Sequence, residues 1–116
     1  ELALQIDEEL KQFAGGMKIY SVCCVGGAPV GKQASKLRLP YNFIIGTPGR
    51  IKDFINTRAI RLSEFKNIVL DEADRMLDMG FVADMRAIMQ GMSSDRQTLF
   101  FSATINRDIE RLIQEF

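Results

Sequence analysis

Histidine and tryptophan are absent from this 116-residue chain, and cysteine occurs only twice. Without histidine, a Cys/His zinc site is excluded, and so is Ser-His-Asp or Cys-His nucleophilic catalysis. Cys23 and Cys24 are adjacent in an apolar run. Side chains alternate in direction along a strand, so the two thiols should point to opposite faces, and we expect no disulfide between them. Free buried thiols predict a reducing, intracellular compartment, namely the cytoplasm or, in a eukaryote, the nucleus.

Long hydrophobic runs are also lacking. No apolar run approaches the roughly 20 residues of a membrane-spanning helix, and the acidic first residues do not resemble a secretory leader. We therefore expect no membrane partner. With 47% apolar and 26% charged residues, the composition is that of a folded protein rather than a disordered one, and the length fits one domain.

A net charge is the third absence, since 15 basic side chains balance 15 acidic ones. The total by itself argues against a basic nucleic-acid-binding protein. The charges are nevertheless segregated along the chain, because residues 26–66 have a net charge of +6 and residues 67–116 a net charge of −4. The positive segment is either a surface that binds phosphates or a set of ordinary solvated helix faces.

Short apolar runs alternate with amphipathic stretches, which is typical of strand-helix-strand units around a parallel sheet. Strands are predicted at residues 18–25, 42–46, 67–71 and 97–102. Each is nearly continuous in apolar character, as expected of strands that helices cover on both faces. Apolar residues at helical spacing predict the core faces of three helices. These residues are Leu2, Ile6, Leu10 and Phe13, then Ile51, Phe54 and Ile55, and then Phe81, Met85, Ile88 and Met89. The predicted fold class is α/β with a parallel sheet.

The strand predicted at 67–71 ends in three carboxylates, Asp71, Glu72 and Asp74. Ligands bind at the C-terminal ends of strands in open parallel sheets. A hydrophobic strand followed by Asp-Glu is typical of phosphoryl-transfer enzymes, in which one carboxylate holds hydrated Mg²⁺ and the next orients or activates the attacking water. The alternative is an acidic first helical turn, which the helix dipole favours and which accounts for Asp71 and Asp74.

Residues 26–33, Gly-Gly-Ala-Pro-Val-Gly-Lys-Gln, nearly match the phosphate-loop pattern G-x-x-x-x-G-K-[ST]. Gln33 stands where that pattern needs a hydroxyl for Mg²⁺, and Pro29 removes one backbone N–H. We therefore do not interpret the segment as a nucleotide-binding loop. The pair Gly26 and Gly27 can instead let the backbone approach a nucleic-acid phosphate closely.

The tetrapeptide Thr47-Pro48-Gly49-Arg50 follows a predicted strand and begins a helix. Free N–H groups and the positive end of the dipole suit a phosphate there, with the Thr47 hydroxyl and the Arg50 guanidinium as further donors. A simple Thr-Pro helix start is the alternative.

Ser102 and Thr104 follow the last predicted strand. In a parallel sheet they should emerge beside residues 71–74, so we expect hydroxyl-to-carboxylate hydrogen bonds between the two loops.

Together these segments resemble the motifs of the DEAD-box RNA helicase family, and they occur in the family's order. Residues 71–74 are similar to motif II, residues 102–104 to motif III and residues 47–50 to motif Ib. Gly26 and Gly27, with the later Gln33, resemble the glycine doublet, and residues 1–5 resemble the end of motif Ia. The resemblance spans essentially the whole chain.

This resemblance implies a RecA-like lobe of the P-loop NTPase type and an ATP-dependent, RNA-unwinding enzyme that uses ATP and Mg²⁺. Asp71 would contact Mg²⁺ through water, and Glu72 would position or activate the attacking water. Asp74, Ser102 and Thr104 would couple the nucleotide state to RNA handling. The residues expected to hold the RNA backbone, independently of base sequence, are Gly26, Gly27, Thr47, Pro48, Gly49 and Arg50.

By the same resemblance, the Q motif and motif I would precede Glu1, and a second RecA-like lobe would follow Phe116. Residues 1–116 would then be a partial N-terminal helicase lobe that is inactive alone and has RNA and the second lobe as partners. The alternative is a non-catalytic α/β module that binds Mg²⁺ or another protein.

Overall fold

Four short strands alternate with helices along the chain. The computed structural model describes all 116 residues. The helices are α1 (Leu2–Phe13), α2 (Val30–Lys36), α3 (Pro48–Asn56), α4 (Ala73–Asp78), α5 (Val82–Gly91) and α6 (Arg107–Glu115), with a 3₁₀ turn at Leu62–Glu64. The strands are β1 (Ser21–Cys24), β2 (Phe43–Gly46), β3 (Asn67–Leu70) and β4 (Gln97–Phe100). Every strand lies within its predicted range and is shorter than predicted.

The chain divides into two compact units, Glu1–Ile60 and Arg61–Phe116. In the first unit β1 pairs with β2, and in the second β3 pairs with β4. Both pairs are parallel, and parallel neighbours need a crossover connection. Helix α2 lies in the crossover of the first unit, and α4 and α5 lie in that of the second. The predicted α/β class with parallel strands is therefore confirmed, as two two-stranded sheets.

In the first unit, the end of β2 approaches β1 more closely than a side chain allows. Gly46 lies opposite Cys24, and a Cβ added at Gly46 would collide with the Cys24 carbonyl oxygen. That same oxygen accepts the N–H of Thr47 at 3.0 Å. The close approach at Gly46 thus fixes the point from which Thr47 leads into α3.

Burial on α1 differs from the predicted apolar stripe. Phe13 is 84% exposed, whereas Ala3, Asp7 and Ala14 are buried. The helix packs against β1 and β2, Leu2, Ile6 and Leu10 are half-buried, and Asp7 accepts a hydrogen bond from the Ser21 hydroxyl of β1. The prediction that Phe13 lies in the core was therefore wrong, because the buried side of the helix is centred on Ala3, Asp7 and Ala14 and Phe13 lies outside it.

In α3, the predicted Phe54 is buried, and Ile51 and Ile55 are half-buried. Cys24 is fully buried, and burial raises the pKa of its thiol to about 11. Both cysteines are free, as predicted, but Cys23 is only half-buried.

The second unit has a compact apolar core between β3 and the three helices of that unit. Its buried members are Leu70, Ala73, Met85, Met89, Ile109 and Leu112. The predicted face of α5 is confirmed, since Met85, Ile88 and Met89 are buried and Phe81 is half-buried. Helix α6 is capped by Asn106, whose side-chain oxygen accepts the Ile109 N–H at 3.0 Å. None of the helices of the chain has the length and apolar character needed to cross a membrane.

Candidate functional site

The carboxylate segment of the second unit leaves β3 through a left-handed turn. Leu70 ends the strand in the core, and Asp71 Oδ1 accepts the N–H of Glu72 at 2.9 Å. Glu72 has φ 49° and ψ 47°, a conformation that costs an L-residue about 1 kcal/mol or more and is concentrated at functional sites. Because α4 begins at the next residue, this turn determines the directions of the Asp71 and Glu72 side chains.

Asp74, in the first turn of α4, is bound to the segment that follows β4. Thr104 donates its N–H at 3.1 Å and its hydroxyl at 2.9 Å to Asp74 Oδ2. Ser102 Oγ accepts the Asp74 N–H at 3.3 Å and donates to the Thr104 carbonyl at 2.6 Å. The predicted hydroxyl-to-carboxylate hydrogen bond is therefore confirmed for Thr104, whereas Ser102 bonds to the backbone of Asp74.

The backbone reinforces this connection. Ala73 donates its N–H to the Phe101 carbonyl at 3.0 Å, and Phe101 donates to Leu70 at 2.8 Å. The Thr104 hydroxyl holds the pKa of Asp74 below its ordinary value of 3.8, and the N–H of Arg75 acts in the same direction. Asp74 is thus a carboxylate at neutral pH, and its hydrogen bonds to the β4 segment are charge-assisted.

Glu72 remains accessible beside this network. Its side chain is 43% exposed, and Oε2 lies 3.5 Å from Arg75 Nη1. No three or more Asp, Glu, Cys or His side chains gather into a metal-binding cluster. Mg²⁺ is commonly held by one or two carboxylates together with waters and substrate phosphates. Asp71, a carboxylate at the end of a buried strand, suits that manner of binding, in which a phosphate supplies the remaining oxygens.

The glycine loop of the first unit follows β1 directly. Gly26 and Gly27 are exposed, and a Cβ added at either position would meet no atom within 4 Å. Gly27 has φ +81°, which glycine adopts readily and other residues do not. The loop therefore presents bare backbone to solvent.

The start of α3 has the predicted form. Thr47 is the N-cap residue in an extended conformation, Pro48 occupies the first turn, and neither a side-chain cap nor an acidic residue is present in that turn. Gly49 would meet no atom within 4 Å if it carried a Cβ. The helix thus begins with backbone N–H groups that the Thr47 hydroxyl does not cap, and with open space above Gly49.

Arg50 connects these two segments. Its Nη1 donates to the Ala28 carbonyl at 3.2 Å and to Gln33 Oε1 at 2.9 Å. Gln33 in turn donates its Nε2 to the Val25 carbonyl at 3.0 Å. The structure therefore brings the glycine loop and the start of α3 together within the first unit, and it joins Asp74, Ser102 and Thr104 within the second.

Comparison with known proteins shows the family of the chain. The sequence profile described as DEAD/DEAH box helicase matches residues 1–112. The chain belongs to this family. Among curated proteins, this DEAD-box chain is 44% identical to DEAD-box ATP-dependent RNA helicase 5 of Arabidopsis thaliana, over 100% of the chain and 22% of the relative. It is 42% identical to DEAD-box ATP-dependent RNA helicase CshA of Bacillus subtilis (strain 168), over 100% of the chain and 24% of the relative.

A solved structure shows the same fold. A DEAD box protein from the hyperthermophile Methanococcus jannaschii superposes with a TM-score of 0.94 at 36% identity, over 99% of this DEAD-box chain and 31% of the other. The chain spans about a quarter or less of the length of the curated relatives that it matches.

The sequence does not show the contacts of two buried polar residues, Gln33 and Asp7. In the sequence, Gln33 excludes a phosphate loop and accompanies the glycine doublet, but nothing there shows that it is buried and bonded at both ends of its amide. Asp7 lies on a helix that otherwise shows an apolar stripe, and nothing in the sequence marks it as the partner of Ser21. Gln33 bonds to Val25 and Arg50, which are 8 and 17 residues away, and Asp7 bonds to Ser21, which is 14 residues away. Local patterns do not show such pairs.

Proposed function

We propose that this chain is part of an ATP-dependent RNA helicase, in which the first unit binds one RNA strand and the second unit takes part in Mg-ATP hydrolysis. Family membership supports the class of enzyme. The observation that carries the proposal is the Asp74–Thr104 connection, because it ties the carboxylate segment to a second segment that can respond to it.

In the second unit, Glu72 would position the water that attacks the terminal phosphate and accept its proton. Asp71 would hold Mg²⁺ through water, and Mg²⁺ would neutralise charge that develops on the phosphates. Asp74, Ser102 and Thr104 would couple the nucleotide state to the RNA, since a change in the position of α4 must break or move their hydrogen bonds.

In the first unit, backbone N–H groups would bind the sugar-phosphate backbone of RNA. The open space at Gly26, Gly27 and Gly49 supports such a close approach, and Thr47 and Arg50 supply a hydroxyl and a positive charge. Pro48 starts the helix without a capped turn. Contacts of this kind do not distinguish bases, so the RNA would be bound independently of its sequence.

These 116 residues alone should not hydrolyse ATP. They contain no complete G-x-x-x-x-G-K-[ST] phosphate loop, since Gln33 occupies the hydroxyl position. We expect hydrolysis to need the full-length parent protein, with a phosphate loop and a second RecA-like lobe.

The test is RNA-stimulated phosphate release, measured on the isolated chain and on the full-length parent. We expect turnover from the parent and none from the isolated chain above its Glu72→Gln variant. Turnover from the isolated chain above that control contradicts the requirement for further segments. Absence of RNA-stimulated turnover from the parent favours the alternative, a non-catalytic module that binds Mg²⁺ or a protein.

A further inference from the structure

Gln33 is the buried polar side chain that lies between the two proposed RNA-binding segments. It is 6% exposed, and its amide is used at both ends. Nε2 donates to the carbonyl of Val25, the residue that follows β1, and Oε1 accepts from Arg50 Nη1. The same Arg50 nitrogen donates to the Ala28 carbonyl. One amide therefore bonds to the chain before Gly26, and one guanidinium bonds to the chain after Gly27.

We propose that Gln33 is a positioning residue for RNA binding, which acts through Arg50 to hold the Gly26–Ala28 loop in its binding conformation. This inference rests on the proposed function and deepens it, because it concerns the same RNA-binding surface. It also assigns the nitrogens of Arg50 to two different contacts, one within the protein and one with RNA. Both hydrogens of Nη1 are used within the protein, so a bidentate contact to a phosphate would have to use Nε and Nη2.

The two hydrogen bonds made at position 33 require an amide side chain. A buried group that must donate to one carbonyl and accept from a guanidinium at the same time needs a donor and an acceptor on one short side chain, which Gln provides. A Met of similar length provides neither, and a Glu retains only the acceptor. Comparison of Gln, Glu and Met at position 33 therefore distinguishes the effect of each hydrogen bond from the effect of side-chain packing.

The benefit for binding is preorganisation. A loop with two adjacent glycines loses more conformational freedom when it is fixed than any other dipeptide. If Arg50 and Gln33 already fix the loop in the free protein, RNA does not have to order it. The binding free energy is then more favourable by the entropy cost that ordering would have required. Loss of the Arg50 contact should therefore weaken RNA binding while the chemistry at the carboxylates is unchanged.

The experiment uses the full-length parent with an unstructured single-stranded RNA oligonucleotide as the probe. For Gln33→Met we expect the half-saturating RNA concentration of ATP hydrolysis to rise about tenfold, as for loss of one charge-assisted hydrogen bond. The maximal rate and the KM for ATP should change less than about twofold. Gln33→Glu should restore most of the RNA affinity, because its carboxylate accepts from Arg50.

Two controls separate positioning from general destabilisation. Ser35→Ala lies on the same helix and removes only a hydroxyl that donates to the Gly31 carbonyl within that helix, so it should leave RNA affinity unchanged. In a double-mutant cycle, Gln33→Met should add less than about twofold to the loss caused by Arg50→Ala, because both act on one contact.

Three outcomes overturn the inference. They are an unchanged half-saturating RNA concentration in folded Gln33→Met, equal losses in Gln33→Met and Gln33→Glu, and full additivity with Arg50→Ala. If Arg50→Ala weakens RNA binding and Gln33→Met does not, the proposed function stands and only the role of Gln33 fails. If the wild-type parent shows no RNA-stimulated hydrolysis, the proposed function itself fails.

Discussion

Thr104 donates both its backbone N–H and its hydroxyl to one carboxylate oxygen, Oδ2 of Asp74, at 3.1 and 2.9 Å. Two donors from one residue hold that oxygen in a fixed direction. The relationship joins the start of α4 to the segment after β4 across 30 residues of sequence. A shift of either segment therefore changes the environment of a charged group, which is a physical basis for coupling between them.

Removing the Thr104 hydroxyl should raise the pKa of Asp74. That hydroxyl is the largest cause of the lowered pKa, and Thr104→Val removes it while the shape is retained. An NMR titration of the Asp74 carboxyl carbon measures the change. The stabilisation that this carboxylate provides is present above its ordinary pKa of 3.8 and is lost as the pH falls through its lower folded-state pKa. The stability of the wild type and of the variant should therefore converge at low pH.

If Asp74, Ser102 and Thr104 couple hydrolysis to RNA handling, the Ser102→Ala, Thr104→Ala double variant of the full-length parent should lose more unwinding than ATP hydrolysis. We expect unwinding to fall about tenfold, a typical coupling strength, and hydrolysis to fall much less. Strand displacement and phosphate release are measured under the same conditions. Equal losses would contradict a coupling role and would leave only a structural one.

Gly49→Ala should have opposite effects on stability and on RNA binding. Gly49 is helical and has no neighbour within 4 Å of a Cβ position, so alanine should stabilise the fold by about 0.5 kcal/mol. The added methyl would occupy the space proposed for the RNA backbone and should lower affinity about tenfold. Thermal unfolding and RNA titration test the two effects. A variant that is more stable and binds RNA normally would contradict RNA contact at Gly49.

Gly46→Ala provides the contrast, three residues earlier. There a Cβ would collide with the Cys24 carbonyl oxygen, so we expect a loss of about 1–3 kcal/mol in the free energy of unfolding. Chemical denaturation of the two alanine variants side by side shows whether the two glycines differ as the structure indicates. Similar stabilities would be inconsistent with the close strand approach at Gly46.

Much of the fold follows from local sequence patterns. The four strands, the Thr47–Pro48 helix start and the buried face of α5 are each encoded by neighbouring residues, and each is found where predicted. The segments 71–74 and 102–104 also meet as expected, through Asp74, because parallel strands bring their C-terminal ends to one edge.

Long-range polar pairing is what local patterns do not show. Phe13 fits an apolar stripe, yet it is exposed, whereas Asp7 is buried and accepts a hydrogen bond from Ser21 of β1. Arg50 suits a phosphate by its position, but only the structure shows that Nη1 is bonded to Ala28 and Gln33. Such pairs depend on distances between segments, which a single sequence does not contain.

The central claim is that one unit of this chain binds the RNA backbone and the other supplies the hydrolytic carboxylate. RNA-stimulated phosphate release by the full-length parent, measured as a function of RNA concentration, tests both parts at once. Gly26→Ala should raise the half-saturating RNA concentration about tenfold with little change in the maximal rate. Glu72→Gln should lower the maximal rate by about 10²–10⁴-fold. A Gly26→Ala variant with a lower maximal rate and an unchanged half-saturating RNA concentration would contradict the account. So would a Glu72→Gln variant with full turnover.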